Sequence, residues 1–325
     1  MTYQQFVETL DNWGKNRTPF FFLIDFEQQK PIAFPLNEMP KDVLFDFNSR
    51  TNFNKSPKNA SSIQLRVKPI DENIFKKKFD VVSEALEYGD SYLINLTLRT
   101  EIDLDTTLED LFSVVEAKYK LFYRNQFLVF SPEIFVKIED GVVYSFPMKG
   151  TIDASIENAE EKILNDQKEL AEHVTIVDLI RNDLSLIAED VHVSRFRYID
   201  LVRSNRKELL QVSSKIQGRL IREYDHAFGT ILDKLLPAGS ISGAPKKRTV
   251  EIIRQAEQID RGYYTGVAGI FDGNVFDSGV LIRFIENANS RLYYRSGGGI
   301  TTASDWKKEF REVIDKIYVP VNRNN

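Results

Sequence analysis

The chain has 325 residues, 42% hydrophobic and 28% charged, which describes a globular protein able to bury a substantial core without covalent staples. It contains no cysteine, which excludes disulfides, thiolate metal sites and a cysteine nucleophile within this polypeptide. A formal net charge of -5 argues against a general nucleic-acid binder, because there is no basic excess to neutralise phosphates. The apolar run Phe20–Ile24 is followed at once by Asp25. That run is too short for a signal core and far below the ~18 apolar residues of a membrane span, so the expectation is a cytoplasmic chain with no membrane contact. Length alone allows two domains of about 150 residues or one large one.

Taken in order, the sequence opens with an amphipathic segment from Tyr3 to Trp13 and the strand-like Phe20–Ile24. From Arg50 to Ser62 it turns polar, as an exposed linker would. A helix is predicted from Asp71 to Glu87, ending near Gly89, then a strand in which Tyr92, Ile94, Leu96 and Leu98 alternate with the other face. Leu108–Tyr119 reads as a helix. Short strands follow at Phe127–Phe130, Ile134–Ile138 and Val142–Phe146, with Asp140-Gly141 as a hairpin turn. One long charged helix is predicted from Ile156 to about Arg181. Strands are predicted at Val191–Tyr198 and Gln211–Leu220, and helices at Ala227–Leu236 and Lys246–Gln258. The chain then runs through Gly266–Phe271, an Asp272-Gly273 turn, Val275–Glu286, Arg291–Arg295, Gly297-Gly298-Gly299 and a helix from Ser304 to Ile317. Strand pairs with Asp-Gly turns and interspersed helices favour antiparallel sheets with helices outside, an α+β arrangement, over a doubly wound parallel sheet.

Several residue patterns could carry chemistry. Glu169 and Glu172, and again Glu309 and Glu312, are three apart on predicted helices, so each pair shares a face. Such carboxylates either form a solvated surface or hold a hard cation such as Mg²⁺. Lys316, four residues after Glu312, is either its ion-pair partner or an anion anchor. Gly297-Gly298-Gly299, placed between a strand and the last helix, and the segment Pro237–Lys246 are either tight turns or places where a ligand approaches free N–H groups. Lys149, in Pro147-Met148-Lys149-Gly150-Thr151 at a strand end, is either a solvated charge or a nucleophile, and Glu133, in Ser131-Pro132-Glu133, a surface carboxylate or a general acid. His173, His192 and His226 lack metal-ligand spacing.

Together these motifs make the chain resemble the chorismate-utilising enzymes, most closely the branch of aminodeoxychorismate synthase component I. The resemblance runs from about Asp71 to Lys316. It is carried by Tyr92–Thr97, Ser131-Pro132-Glu133, Pro147–Thr151, Glu172–Asp183, Gly239–Lys246, Arg261–Gly266, Ile282-Arg283, the triple glycine and Glu309-x-x-Glu312-x-x-x-Lys316. The resemblance implies one chorismate-binding domain over residues 1–325, with a core of about 71–317 and a shortened N-terminal region. It implies two packed antiparallel sheets flanked by outer helices in four layers, α/β/β/α. It further implies Mg²⁺ held by Glu172 and Glu312, with Glu169 and Glu309 acting through waters. Arg283, Tyr264, Lys316 and the amides of Gly298 and Gly299 would anchor the substrate carboxylates, with Gly150, Thr151 and Ser242 lining the pocket. Glu133 matches the general acid and Lys149 the residue that decides the reaction, adding to ring C2 as the C4 hydroxyl departs.

The implied activity is conversion of chorismate and ammonia to 4-amino-4-deoxychorismate, in para-aminobenzoate and folate biosynthesis. Because the chain has no cysteine, the ammonia would come from a separate glutamine amidotransferase subunit. The alternatives are anthranilate synthase component I, whose members carry Ala where Lys149 stands, and a catalytically silent subunit binding chorismate or the glutaminase. Leu93 stands where amine-transferring members usually have Gln and where isochorismate synthases place a water-activating lysine. Gln211 stands where anthranilate synthases have a proton-transferring histidine.

Overall fold

The computed structural model describes residues 1–54, 63–68, 70–203 and 208–320. Among them two nine-stranded sheets form, and every strand pairing is antiparallel. The first sheet runs Met148–Asp153, Glu208–Leu220, Val142–Ser145, Ile134–Glu139, Phe276–Val280, Val267–Phe271, Phe20–Ile24, Ile32–Pro35, with Ala188–Arg203 also against Glu208–Leu220. The second runs Gly243–Ala244, Leu93–Leu104, Arg291–Ile300, Phe284–Ala288, Phe127–Ser131, Tyr119–Tyr123, Val43–Phe47, Arg50–Thr51, with Leu65–Val67 also against Leu93–Leu104.

The layers follow from strand alternation. All five residues of Phe20–Ile24 are buried, because the strand is covered on both faces. Phe20, Phe22 and Ile24 pack with Phe6 and Leu10 of the Tyr3–Lys15 helix and with Val177, Phe228 and Leu232 of the Gln167–Leu184 and Phe228–Leu235 helices. Phe21 and Leu23 face the other way, against Phe45, Phe47, Leu121 and Val129 of the second sheet. On that sheet's outer face Leu96 and Leu98 meet Phe75, Phe79, Ile252 and Val313 from the Glu72–Tyr88, Lys246–Glu257 and Trp306–Asp315 helices. Each fully buried Phe or Leu contributes ~1.5–3 kcal/mol of burial free energy. The α+β, helix–sheet–sheet–helix arrangement expected from sequence is thus the observed one.

Local departures have physical causes. The helix expected over Ile156–Arg181 is two, Ala159–Asn165 and Gln167–Leu184. Asp166 breaks it by adopting an extended conformation and accepting the N–H of Glu169 as an N-cap. The helix expected to Tyr119 stops at Val114, and the aromatic run Tyr119–Tyr123 is a fully buried strand. Val275–Glu286 is interrupted between Val280 and Phe284, where Arg283 adopts φ +54°. Ile32–Pro35 and Val43–Phe47 add a strand to each sheet, so the strand framework begins well before Asp71. Of the expected polar linker, residues 55–62 lie outside the described residues. No described helix is long and apolar enough to cross a membrane.

Candidate active site

The triple glycine lies within the strand Arg291–Ile300, not in a loop before the last helix as the sequence suggested. Its partner along the whole length is Leu93–Leu104, whereas Phe284–Ala288 covers the opposite edge only as far as Arg295. The edge from Ser296 onward is therefore open, and it faces a cavity of about 180 Å³. Thr97 gives its N–H to Glu257 Oε1 at 2.9 Å, so its pairing with Gly297 is a non-hydrogen-bonded one. By alternation Gly298 makes the ladder bonds, and the amides of Gly297 and Gly299 point to the open edge. This corrects the expectation of Gly298 as an amide donor; Gly299 retains that position, and Gly297 joins it. Gly298 matters through its missing side chain: a Cβ there would stand 3.6 Å from Glu309 Oε2, 3.7 Å from Lys316 Nζ and 3.9 Å from Glu312 Oε1.

Lys149 enters from the first sheet. The pairing of Met148–Asp153 with Glu208–Leu220 slips between Met148 and Thr151, and this irregularity re-aims Lys149 away from a regular edge position. Gly150 beside it has φ +79°, and a Cβ there would meet Glu169 Oε2 at 2.9 Å. Lys149 Nζ donates to Glu172 Oε2 at 3.0 Å and lies 3.5 Å from where a Cβ on Gly299 would be. Glu133 lines the same cavity from the turn after Phe127–Ser131, accepting the Ser240 hydroxyl at 2.5 Å. Burial pushes the Glu133 carboxyl above its ordinary range, against the opposing effects of that hydrogen bond and of Lys149.

The glutamate pairs come from the two helices as expected. Glu169 and Glu172 ride on Gln167–Leu184; Glu309 and Glu312 ride on Trp306–Asp315, which Asp305 caps. Burial raises the Glu169 and Glu309 carboxyls, and in each case a neighbouring glutamate adds to the rise. Burial acts most strongly on Glu312, but Lys316 Nζ at 2.7 Å, with Lys149 and Lys168 adding, outweighs it and leaves that carboxyl below its ordinary range. Lys316 is itself lowered by burial, and it donates to Gly297 O at 2.9 Å. Lys168, which the sequence did not single out, stands 3.7 Å from Glu172 and 3.9 Å from Glu309. Burial lowers its ammonium, yet the field of all four glutamates raises it overall.

These residues fit a hard divalent cation. The donors are all oxygen, and a cationic side chain already rests between carboxylates of the two helices. Among the described residues no three His, Cys, Asp or Glu side chains converge as a metal cage. Mg²⁺ takes one or two carboxylates and completes its shell with water and substrate oxygens, so paired glutamates on two helices are a donor set of the right chemistry.

The remaining expected residues divide. Arg283 and Tyr264 line the cavity; burial raises the Tyr264 phenol to about 12, and Arg283 donates to Lys316 O at 2.7 Å. Thr151 is exposed and paired with Gln211, and Ser242 is fully buried with its hydroxyl given to Ala238 O at 3.0 Å. Neither lines the cavity, nor does Gly150, which meets Glu169 instead; Ser240 takes the place expected of Ser242. Leu93 packs beneath Gly299. Sequence reasoning also missed Ser296 and the side chain of Asn95, both lining the cavity with a buried oxygen that has no partner among the described residues. Burial holds the His173 imidazole down to about 4, with its Nε2 2.7 Å from Ser214 Oγ.

The family model for chorismate binding enzymes matches residues 12–322. The chain belongs to this family. An uncharacterized PabA-like protein of Pasteurella multocida (strain Pm70) is 47% identical to this chorismate-binding enzyme over 323 residues, covering 99% of it and 100% of the relative. The aminodeoxychorismate synthase component 1 of Bacillus subtilis (strain 168) is 27% identical over 91% of this chain and 64% of its own length. The anthranilate synthase component 1 of Acetivibrio thermocellus is 31% identical over 83% of this chain and 56% of its own. The structure of MenF, the menaquinone-specific isochorismate synthase of Escherichia coli, superposes with a TM-score of 0.72 at 15% identity, covering 96% of this chain and 80% of that one, which shows the shared fold.

Proposed function

We propose that this chorismate-binding enzyme is component I of an aminodeoxychorismate synthase, converting chorismate and ammonia to 4-amino-4-deoxychorismate for para-aminobenzoate and folate synthesis in the cytoplasm. The observation that carries the reading is Lys149: a primary amine and the Glu133 carboxyl line one cavity, with the amides of Gly297 and Gly299 on its open edge. In the reading, the Lys149 amine bonds to ring C2 while the C4–O bond breaks, and Glu133 gives its proton to the departing hydroxyl. Ammonia then bonds to C4, the C2–N bond breaks to return the lysine, and the C4 ammonium gives a proton back to the Glu133 carboxylate. Arg283, Tyr264, Lys316 and the Gly299 amide hold the carboxylates. Mg²⁺ would be held by Glu172 and Glu312, with Glu169 and Glu309 behind waters, and when bound it supplies positive charge for the ring carboxylate.

A separate glutamine amidotransferase supplies the ammonia in this reading, since the chain has no thiol to open glutamine. The likeness to anthranilate synthases keeps one second reading in view, and Lys149 weighs against it. The deciding experiment incubates the purified chain with chorismate, ammonium and Mg²⁺ and separates the products. Aminodeoxychorismate supports the proposal. Anthranilate with pyruvate favours the second reading, and no turnover favours a silent subunit.

A further inference from the structure

A second, smaller cavity opens behind Glu133. It has a volume of about 20 Å³ and shares Glu133, Pro147 and Ser240 with the main cavity. That is room for one water-sized molecule and nothing larger. Its remaining wall is mostly apolar, from the core under the first sheet, with Ile180 among it and two further polar side chains, Ser145 and Asp183. The polar side chains share one property. Ser240 gives its hydroxyl proton to Glu133 Oε1 at 2.5 Å, and Ser145 gives its own to Phe135 O at 3.1 Å. Asp183 is a carboxylate held by Lys246 Nζ at 2.9 Å. With both hydroxyl protons committed, Ser145, Ser240 and the Asp183 carboxylate offer the cavity lone pairs rather than hydrogens, and Glu133 does so once its proton has gone to the departing hydroxyl.

A mostly apolar space of this size whose few polar side chains are acceptors selects a small guest rich in N–H groups. Ammonium carries four donors and no lone pair, whereas water prefers to accept as well as donate. We infer that the small cavity behind Glu133 is the binding site for the second substrate, ammonia or ammonium, held between Ser145, Asp183 and Glu133 beside the chorismate cavity. The inference rests on the amination reading above and adds where the nitrogen waits. It also gives Glu133 two faces, one toward the departing hydroxyl and one toward the incoming nitrogen.

The test uses the full chain with saturating chorismate and Mg²⁺ and a titration of ammonium chloride. Ser145→Ala removes one acceptor without touching the main cavity. It should raise the KM for ammonium between about threefold and tenfold, the range of one hydrogen bond, and leave the KM for chorismate unchanged. Ile180→Ala enlarges the space and should let methylammonium yield an N-methyl product that the wild-type chain does not form. Should Ile180→Ala fail to fold, Ser145→Ala decides alone. An unchanged ammonium KM in Ser145→Ala overturns the inference and leaves the cavity as the seat of a buried water only. If the wild-type chain forms no aminated product at all, the amination reading falls and takes this one with it; a wild-type chain that aminates beside an unaffected variant overturns only the ammonia site.

Discussion

Lys149 Nζ holds Glu172 Oε2 at 3.0 Å, so the residue assigned as nucleophile is the ion-pair partner of a residue assigned as metal ligand. The two roles compete for the same carboxylate. Lys149→Ala should therefore lower kcat by about a hundredfold or more, the scale of a lost catalytic group, with chorismate affinity little changed. In the same variant Mg²⁺ should bind more tightly than in the wild type, because Glu172 no longer has to give up the ammonium. Calorimetric titration with Mg²⁺ checks the second half. Weaker Mg²⁺ binding in the variant would mean that Lys149 arranges the glutamates instead of contesting them.

Glu312 is paired with Lys316 at 2.7 Å, and Lys316 in turn donates to the Gly297 carbonyl. Glu312→Gln keeps the shape and removes the charge. The Mg²⁺ concentration for half-maximal turnover should rise by at least about tenfold, by comparison with the 10–100-fold cost of losing even an outer-shell partner. The circular dichroism spectrum should not change. Glu309→Gln, in a supporting position, should shift the requirement less. Equal Mg²⁺ dependence in Glu312→Gln and the wild type would remove Glu312 from the ligand set.

Beneath the cavity lies a fully buried ion pair. Arg261 bonds Glu257 at 2.7 Å and gives further hydrogen bonds to Asn95 O at 2.7 Å and Ile241 O at 3.4 Å, while Glu257 accepts both the N–H and the hydroxyl of Thr97. The pair ties the Lys246–Glu257 helix to the strand that carries Asn95 and to the segment that carries Ser240. Arg261→Met leaves a charge buried without its counterpart and should cost about 3–5 kcal/mol in urea unfolding. Replacing Glu257 as well, in Arg261→Met/Glu257→Met, should recover part of that loss. A double variant less stable than the single one would show that the hydrogen bonds to Thr97 outweigh the stranded charge.

What the sequence made legible was what obeys local periodicity. Glu169 and Glu172, or Glu309 and Glu312, share a face because a helix repeats every 3.6 residues, and the two helices formed around them. Lys149 could be placed at a strand end, but its direction comes from a register slip against a strand some sixty residues later, which no local pattern encodes. The three glycines looked like a loop because glycine weakens a strand; the ladder to Leu93–Leu104 holds them extended. Thr151 and Ser242 were placed by resemblance close to the lining residues Lys149 and Ile241, but strand pairing with Gln211 and a buried bond to Ala238 O put them elsewhere. Lys168 was invisible because its importance lies in a partner on another helix, Glu309.

Glu133 offers the last prediction, in which activity and stability can be read from one substitution. Its carboxyl is raised above the ordinary value of 4.5, chiefly by burial, with the Ser240 hydrogen bond and Lys149 acting in the opposite direction. A carboxyl raised on folding binds more protons in the native than in the unfolded state between the two pKa values. Stability from this group is therefore full below the unfolded value and is lost as pH rises through the folded one. Glu133→Gln removes the titration, so its melting temperature relative to the wild type should climb as pH rises from about 4 toward neutrality, every other group being common to both proteins. Turnover should behave in the opposite sense: the acid is gone, and kcat should fall by about 10²–10⁴-fold with chorismate affinity retained. Melting curves of both proteins across this pH range, beside single-turnover rates with saturating ammonium, measure the two effects together. A melting difference flat with pH would show that Glu133 folds with an unperturbed carboxyl, and a Glu133→Gln enzyme near wild-type rate would hand the proton of the departing hydroxyl to another donor.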